Sequence, residues 1–155
     1  MFRRALMLIP ALAAIATFLV ACDKPLPEVT VSGDGRVVNL DASVYCFDDD
    51  HCRDGEVTDY ADAPVLKIGR GEPIVISVPG AVAEGPWLVS AFRIDGDGDQ
   101  QAIAGIGSPT LEDTYSTTVQ TDAAGDQDFF LGVVKFDDGA EDVTGAWVVR
   151  VELTA

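Results

Sequence analysis

The sequence predicts an all-β domain built as an antiparallel β-sandwich. Short segments of apolar or alternating residues follow one another from Glu28, and turns rich in Gly, Pro and Asp separate them. No stretch of eleven or more residues carries the apolar spacing of a helix. The apolar fraction of 48% is sufficient for a packed core and excludes a disordered acidic tail.

The acidic composition narrows the range of partners. The chain carries 26 acidic and 10 basic residues, which gives a formal net charge of −16. Proteins that bind nucleic acids or anionic lipid headgroups concentrate Lys and Arg, because those side chains neutralise phosphate. We therefore expect no nucleic-acid partner.

The first element along the chain is an export signal. A basic head, Met1–Arg4, precedes the uncharged run Ala5–Val20, and Leu19-Val20-Ala21-Cys22 closes the segment. This ending resembles the lipobox of bacterial lipoproteins, whose cysteine is acylated before the signal is cleaved. The resemblance implies that Cys22 becomes a lipidated N-terminus that anchors the protein to the cell membrane, outside the cytoplasm. The alternative is an uncleaved membrane helix, since this apolar run is at the short end of what spans a bilayer.

Three regions follow from this interpretation. Residues 1–21 are the signal peptide, residues 22–27 are the lipidated cysteine and a Pro-rich tether, and residues 28–155 are a single β-sandwich domain. Pro25 and Pro27 favour an extended tether of about 3.1 Å per residue, so we expect the domain to lie close to the membrane.

Ten predicted strands fill the domain. Phe129–Phe136 is apolar on both faces apart from Lys135, which indicates a central strand. In Ala146–Leu153 the odd-numbered residues, beginning with Trp147, share a core face, and we expect the even-numbered residues to face mostly water. The ten predicted strands are Glu28–Val31, Arg36–Leu40, Ser43–Cys46, Val65–Ile68, Pro73–Val78, Trp87–Ile94, Gln101–Ile106, Thr114–Thr121, Phe129–Phe136 and Ala146–Leu153.

The order of these features resembles an immunoglobulin-like or fibronectin-type sandwich. Gly71–Pro79 is similar to the second strand of such folds, and Trp87 falls where they place a core tryptophan on the third. Asp126–Phe130 resembles the approach to the sixth strand. The sequence departs from antibody domains because no cysteine pair bridges the two sheets and Phe130 replaces the usual corner tyrosine.

Once Cys22 carries lipid, Cys46 and Cys52 remain as an even pair in an oxidising compartment. This predicts a disulfide that fixes the acidic loop between them. The alternative is a metal site that combines both cysteines with His51 and one neighbouring carboxylate, Asp48, Asp49 or Asp50.

The chain as a whole is similar to small lipoproteins of actinobacteria that combine a lipobox, a close cysteine pair and one β domain. The residues that carry this resemblance are Cys22, the segment Tyr45–Cys52 and the closing Trp147–Val151. The resemblance implies location and architecture, and it implies no activity.

The segment Asp95-Gly96-Asp97-Gly98-Asp99 has the alternating carboxylates of a calcium loop. It departs from the EF-hand pattern, because Gln100 stands at the sixth position and Ile106 at the twelfth. Asp-Gly steps are also typical of a turn between two strands. We interpret the segment as a turn and keep a calcium site at Asp95, Asp97 and Asp99 as the alternative; no other cofactor is expected.

The motifs of common enzymes are missing from the sequence. His51 is the only histidine, and the chain has neither a Gly-x-Ser-x-Gly elbow nor a phosphate-binding loop. We therefore predict a protein that is not an enzyme. The expected function is that of a cell-envelope lipoprotein acting as an interaction or accessory module for envelope proteins or wall components. The alternatives are a calcium-dependent adhesion or carbohydrate-binding domain and, less favoured, a wall-modifying hydrolase that uses surface carboxylates.

Overall fold

The computed structural model describes residues 24–48, 51–55 and 59–155. The predicted signal peptide and the predicted lipidation of Cys22 lie outside the described residues. No helix in the described part of the chain is long and apolar enough to cross a membrane. The described strands are β1 Val29–Gly33, β2 Arg36–Leu40, β3 Val44–Cys46, β4 Cys52–Asp54, β5 Val65–Gly69, β6 Ile74–Ser77, β7 Trp87–Ile94, β8 Gln100–Gly107, β9 Ser116–Val119, β10 Phe129–Phe136 and β11 Val143–Thr154. The short helix α1 spans Gly80–Ala83, and 3-10 turns span Tyr60–Asp62 and Asp122–Ala124.

The strands form two sheets. The smaller sheet has the order β2-β1-β6-β9, and the larger has the order β4-β3-β11-β10-β7-β8. Neighbouring strands run antiparallel except β5, which pairs in parallel with the second half of β11. The prediction of an all-β chain with antiparallel sheets is confirmed.

The main core is formed by apolar residues of both sheets. Trp87, Phe129 and Trp147 are its largest side chains, and each is almost completely buried. The Trp87 indole N–H donates to the Thr114 carbonyl at 3.0 Å, which satisfies the one polar atom of that side chain. The tryptophan expected in the core on the strand Trp87–Ile94 is therefore buried there.

One face of the larger sheet departs from the expected pattern. Val148, an even-numbered residue of β11, was expected to face water but is only 8% exposed. It packs with Ala63 and Phe92, because the segment around the turn Tyr60–Asp62 folds over the outer face of the sheet. This segment adds a second, smaller apolar cluster outside the main core.

The segment predicted as a tether contacts the domain. The Trp147 indole N–H donates to the Pro27 carbonyl at 2.9 Å, and Leu26 packs against the main core. Arg53 donates to the Lys24 carbonyl, also at 2.9 Å. From Lys24 onward the chain therefore lies on the sandwich.

Candidate functional site

The predicted disulfide is confirmed. Cys46 and Cys52 lie opposite each other in the antiparallel β3–β4 hairpin, with their Cα atoms 3.8 Å apart and their sulfur atoms bonded. The bond uses both thiolates that the alternative metal site would need as ligands. The structure therefore favours a structural role for this cysteine pair.

The β3–β4 hairpin that carries the disulfide contacts Lys24, the first residue that the structure describes. Two cations lie over the Phe47 ring, with Lys24 Nζ 5.3 Å and the Arg53 guanidinium carbon 5.9 Å from its centre. Tyr45 packs edge-on against Phe47, with the ring centres 5.2 Å apart, and its other neighbour is Trp147. We call Lys24, Phe47 and Arg53 the clasp.

Tyr45 connects the clasp to α1. Its hydroxyl donates to the Ala81 carbonyl at 3.2 Å. Burial raises the pKa of the Tyr45 phenol, and the nearby Glu84 carboxylate raises it further. Tyr45 therefore acts as a neutral packing residue and hydrogen-bond donor.

The three aspartates of the alternative calcium site, Asp95, Asp97 and Asp99, lie in one turn between β7 and β8. Asp95 Oδ1 accepts backbone N–H bonds from Asp97 at 3.0 Å and Asp99 at 2.9 Å. Asp95 Oδ2 accepts from the Gln101 amide at 3.1 Å. These bonds, the Asp99 contact first, lower the pKa of the Asp95 carboxyl because they favour its charged form.

From these hydrogen bonds we interpret the segment Asp95–Asp99 as a turn that is stabilised by the Asp95 carboxylate. In the part of the chain that the structure describes, no group of three or more His, Cys, Asp or Glu is arranged to hold a metal ion. The calcium site at Asp95, Asp97 and Asp99 stays a hypothesis.

A recess of about 300 Å³ lies in the outer face of the larger sheet. Its floor is formed where Gly132 of β10 pairs with Ser90 of β7 on one side and with Val148 of β11 on the other. The described residues that line the recess are Ser43, Asp59, Tyr60, Ser90, Phe92, Gln100, Gly132, Val134, Ala146, Trp147 and Val148.

One wall of the recess belongs to a fixed aromatic cluster. The rings of Phe92 and Phe130 stack with their centres 5.6 Å apart, and the Tyr60 ring lies 5.5 Å from each of them. The Tyr60 hydroxyl accepts a hydrogen bond from the Gln100 amide. Asp59 Oδ1 accepts the Ala61 backbone N–H at 2.9 Å and so caps the turn that carries Tyr60.

Gly132 is the reason that the floor is open. A Cβ atom at this position would lie 3.4 Å from both Phe92 Cε1 and Ser90 Oγ, which is ordinary contact distance. A larger side chain would therefore extend outward into the recess. The glycine leaves the volume free without imposing an unusual backbone conformation.

Sequence reasoning missed this recess. Its wall residues Tyr60 and Phe92 and its floor residue Gly132 lie on three separate elements. The one local signal is a glycine inside an apolar strand, a pattern that marks a bulge or a close approach to the backbone.

Comparison with known proteins identifies a family to which most of the chain is similar. Residues 22–138, most of the chain, match the model of a family described as protein of unknown function (DUF2771). No curated protein and no solved structure shows significant similarity to the chain.

Proposed function

The chain belongs to the DUF2771 family of proteins of unknown function, and from its residues and geometry we propose a non-catalytic binding module of the cell envelope. In this proposal Cys22 carries the lipid that anchors the protein outside the cytoplasm. The sandwich then binds envelope proteins or wall components as an accessory module. The observation that carries the proposal is the recess in the outer face of the larger sheet.

The strand order supports an immunoglobulin-like arrangement of this module. One sheet contains β1, β6 and β9, and the other places β11, β10, β7 and β8 side by side. The core tryptophan Trp87 begins β7, as in the third strand of such folds. We infer an immunoglobulin-like sandwich with β2 and the β3–β4 hairpin as additions.

The chemistry of the recess favours binding over catalysis. Among the described lining residues Asp59 is the single carboxylate, and none is a histidine, cysteine or lysine. Glycoside hydrolysis usually requires two carboxylates on either side of the bond. Apolar rings with a few fixed polar groups are instead typical of a ligand-binding site.

The clasp is evidence that the domain would lie close to a lipid anchor at Cys22. Lys24 is fixed to Phe47 and Arg53, and Pro27 to Trp147. An acylated Cys22 would thus be only two residues from a fixed point on the sandwich. A short attachment of this kind suits a domain that meets its partners near the membrane surface.

Two measurements in intact cells test the proposal. Mass spectrometry of the N-terminal peptide should find acylated Cys22, and Cys22→Ser should release the protein from membranes. Chemical cross-linking of the tagged protein should capture a specific envelope component, which the Cys22→Ser form should lose. Retention of an unprocessed Cys22→Ser chain would instead support the helix anchor, and the absence of any specific capture would contradict the accessory role.

A further inference from the structure

We propose that the recess binds one sugar residue of a neutral glycan. This rests on the proposed function and names its ligand class. The inference is carried by the shape of the recess, the set of polar atoms along it and its charge. The residues on which the argument rests are all among those that the structure describes.

The recess has the size and surface of a small binding site. Its volume of about 300 Å³ is at the lower end of the range found for small-molecule sites. The rings of Tyr60 and Phe92 stand at one side of it, above the open floor at Gly132. A pyranose ring has an apolar face of C–H groups and a rim of hydroxyls. Its apolar face can pack against the aromatic wall, and the absence of a side chain at Gly132 leaves room for the ring.

Polar groups along the recess match the hydroxyl rim of a sugar. The Tyr60 hydroxyl accepts from the Gln100 amide and donates to none of the described residues, so it can donate its proton to a ligand. Asp59 uses Oδ1 in the turn and has a second oxygen that can accept. Ser43 and Ser90 add two hydroxyls, each of which can donate and accept.

The charge of the recess disfavours polyanions. Asp59 is the single carboxylate among the described lining residues, and none of them is a lysine, an arginine or a histidine that could pair with a phosphate. The chain itself has a formal net charge of −16. A phosphate-rich polymer would therefore be repelled, whereas an uncharged glycan carries no such penalty.

The position of the recess disfavours a peptide that binds as an added strand. Ser90 pairs with Gly107 and Gly132, and Gly132 pairs with Ser90 and Val148. The backbone at these two positions already has a strand partner on both sides. Strand addition requires an unpaired edge, so a ligand here must be recognised by side chains.

Nuclear magnetic resonance titration of the full, isotope-labelled chain tests the inference directly. The protein is kept in a phosphocholine detergent, which contains no sugar, and is titrated with N-acetylchitotetraose, cellotetraose and mannotetraose. We expect at least one of these to cause saturable shifts of the Ser90, Gln100 and Gly132 amides. A proline-rich peptide is titrated as the competing class of ligand.

The decisive variant is Gly132→Val, which fills the recess without removing any polar group. Since Val adds clashing volume in the site, we expect it to weaken binding about tenfold or more while keeping the strand folded. The control is Thr118→Val, which places a valine at an exposed position of β9, and we expect this variant to bind the sugar as the wild type does. The inference would be overturned if none of the three sugars caused saturable shifts, or if the peptide alone caused them. It would also be overturned if Gly132→Val bound the sugar as tightly as the wild type does. Such a failure would leave the cross-linking and Cys22 tests of the binding module unaffected.

Discussion

Asp95 and Asp137 each stabilise an acidic turn in the same way, because a carboxylate oxygen accepts backbone N–H bonds within the turn. Asp137 Oδ1 accepts the backbone N–H groups of Glu141 at 2.9 Å and Asp142 at 3.2 Å, as Asp95 does in its own turn. These bonds lower the pKa of the Asp137 carboxyl, the Glu141 contact contributing most. At both sites the ionised carboxylate is part of the folded turn.

The depressed pKa values determine how acid should affect these turns. The free energy of unfolding that Asp95 contributes is present above its ordinary pKa of 3.8 and is lost as pH falls through the lower folded value. Asp95→Asn keeps one accepting oxygen but removes the titration. We expect the variant to be less stable at neutral pH and to show a shallower loss on acidification, measured by urea unfolding across a pH series. Parallel pH profiles for the two proteins would contradict this.

The hydrogen bonds of Asp95 also lead to a prediction about how calcium affects thermal stability. Both carboxylate oxygens of Asp95 are engaged by Asp97, Asp99 and Gln101, so the loop is ordered by its own hydrogen bonds. We expect the Tm to be the same in excess calcium and in excess chelator. A Tm that rises with calcium and falls with chelator would instead support the alternative of a calcium-dependent module.

At the scale of elements, the β3–β4 hairpin stabilises more than its own loop. Replacing Cys46 and Cys52 together with Ser should lower the free energy of unfolding by about 2 kcal/mol on the chain-entropy model for so short a loop. It should also weaken the clasp, because Phe47 and Arg53 flank the two cysteines. Urea unfolding measures the first effect. Hydrogen exchange at the Leu26 and Glu28 amides measures the second, and unchanged exchange there would show that the clasp does not depend on the disulfide.

The sequence predicted elements best where local chemistry determines them. Arg36–Leu40, Trp87–Ile94 and Phe129–Phe136 have the predicted bounds, because turn residues end each apolar segment. Strand β4, Cys52–Asp54, was missed because its residues are polar and exposed, and its pairing follows from the disulfide hairpin. The short helix α1 was also missed, since four residues carry no helical period.

The recess and the buried position of Val148 depend on contacts between distant elements. Alternation within β11 correctly placed Trp147 in the core, but it contains no information about what covers the opposite face. That cover comes from the segment at Tyr60, more than eighty residues earlier in the chain. Period-based reasoning describes one strand at a time and therefore could not predict this site.

At the scale of the whole molecule, the clasp gives the sandwich two distinct ends. The acidic turn after β10 lies at the clasp end, because Phe136 pairs with Val143 and Gly145 pairs with Tyr45. The turn at Asp95–Asp99 follows the other end of β7. If lipid is attached at Cys22, the clasp end faces the membrane and the Asp95–Asp99 end points away from it.

This orientation can be measured in vesicles that contain a photoactivatable phospholipid. After illumination, mass spectrometry should find lipid adducts in the β3–β4 hairpin and in the turn after β10, and far fewer in the Asp95–Asp99 turn. Arg53→Ala removes a carbonyl hydrogen bond and a cation–π contact worth about 0.5–1 kcal/mol at an exposed site, so it should spread the adducts over more of the surface. Arg70→Ala is the matched control, since it removes the same charge from an exposed ion pair with Asp126 at the opposite end. Equal labelling of both ends in the wild-type protein would show that the clasp does not orient the domain, because a freely rotating sandwich presents every turn to the bilayer.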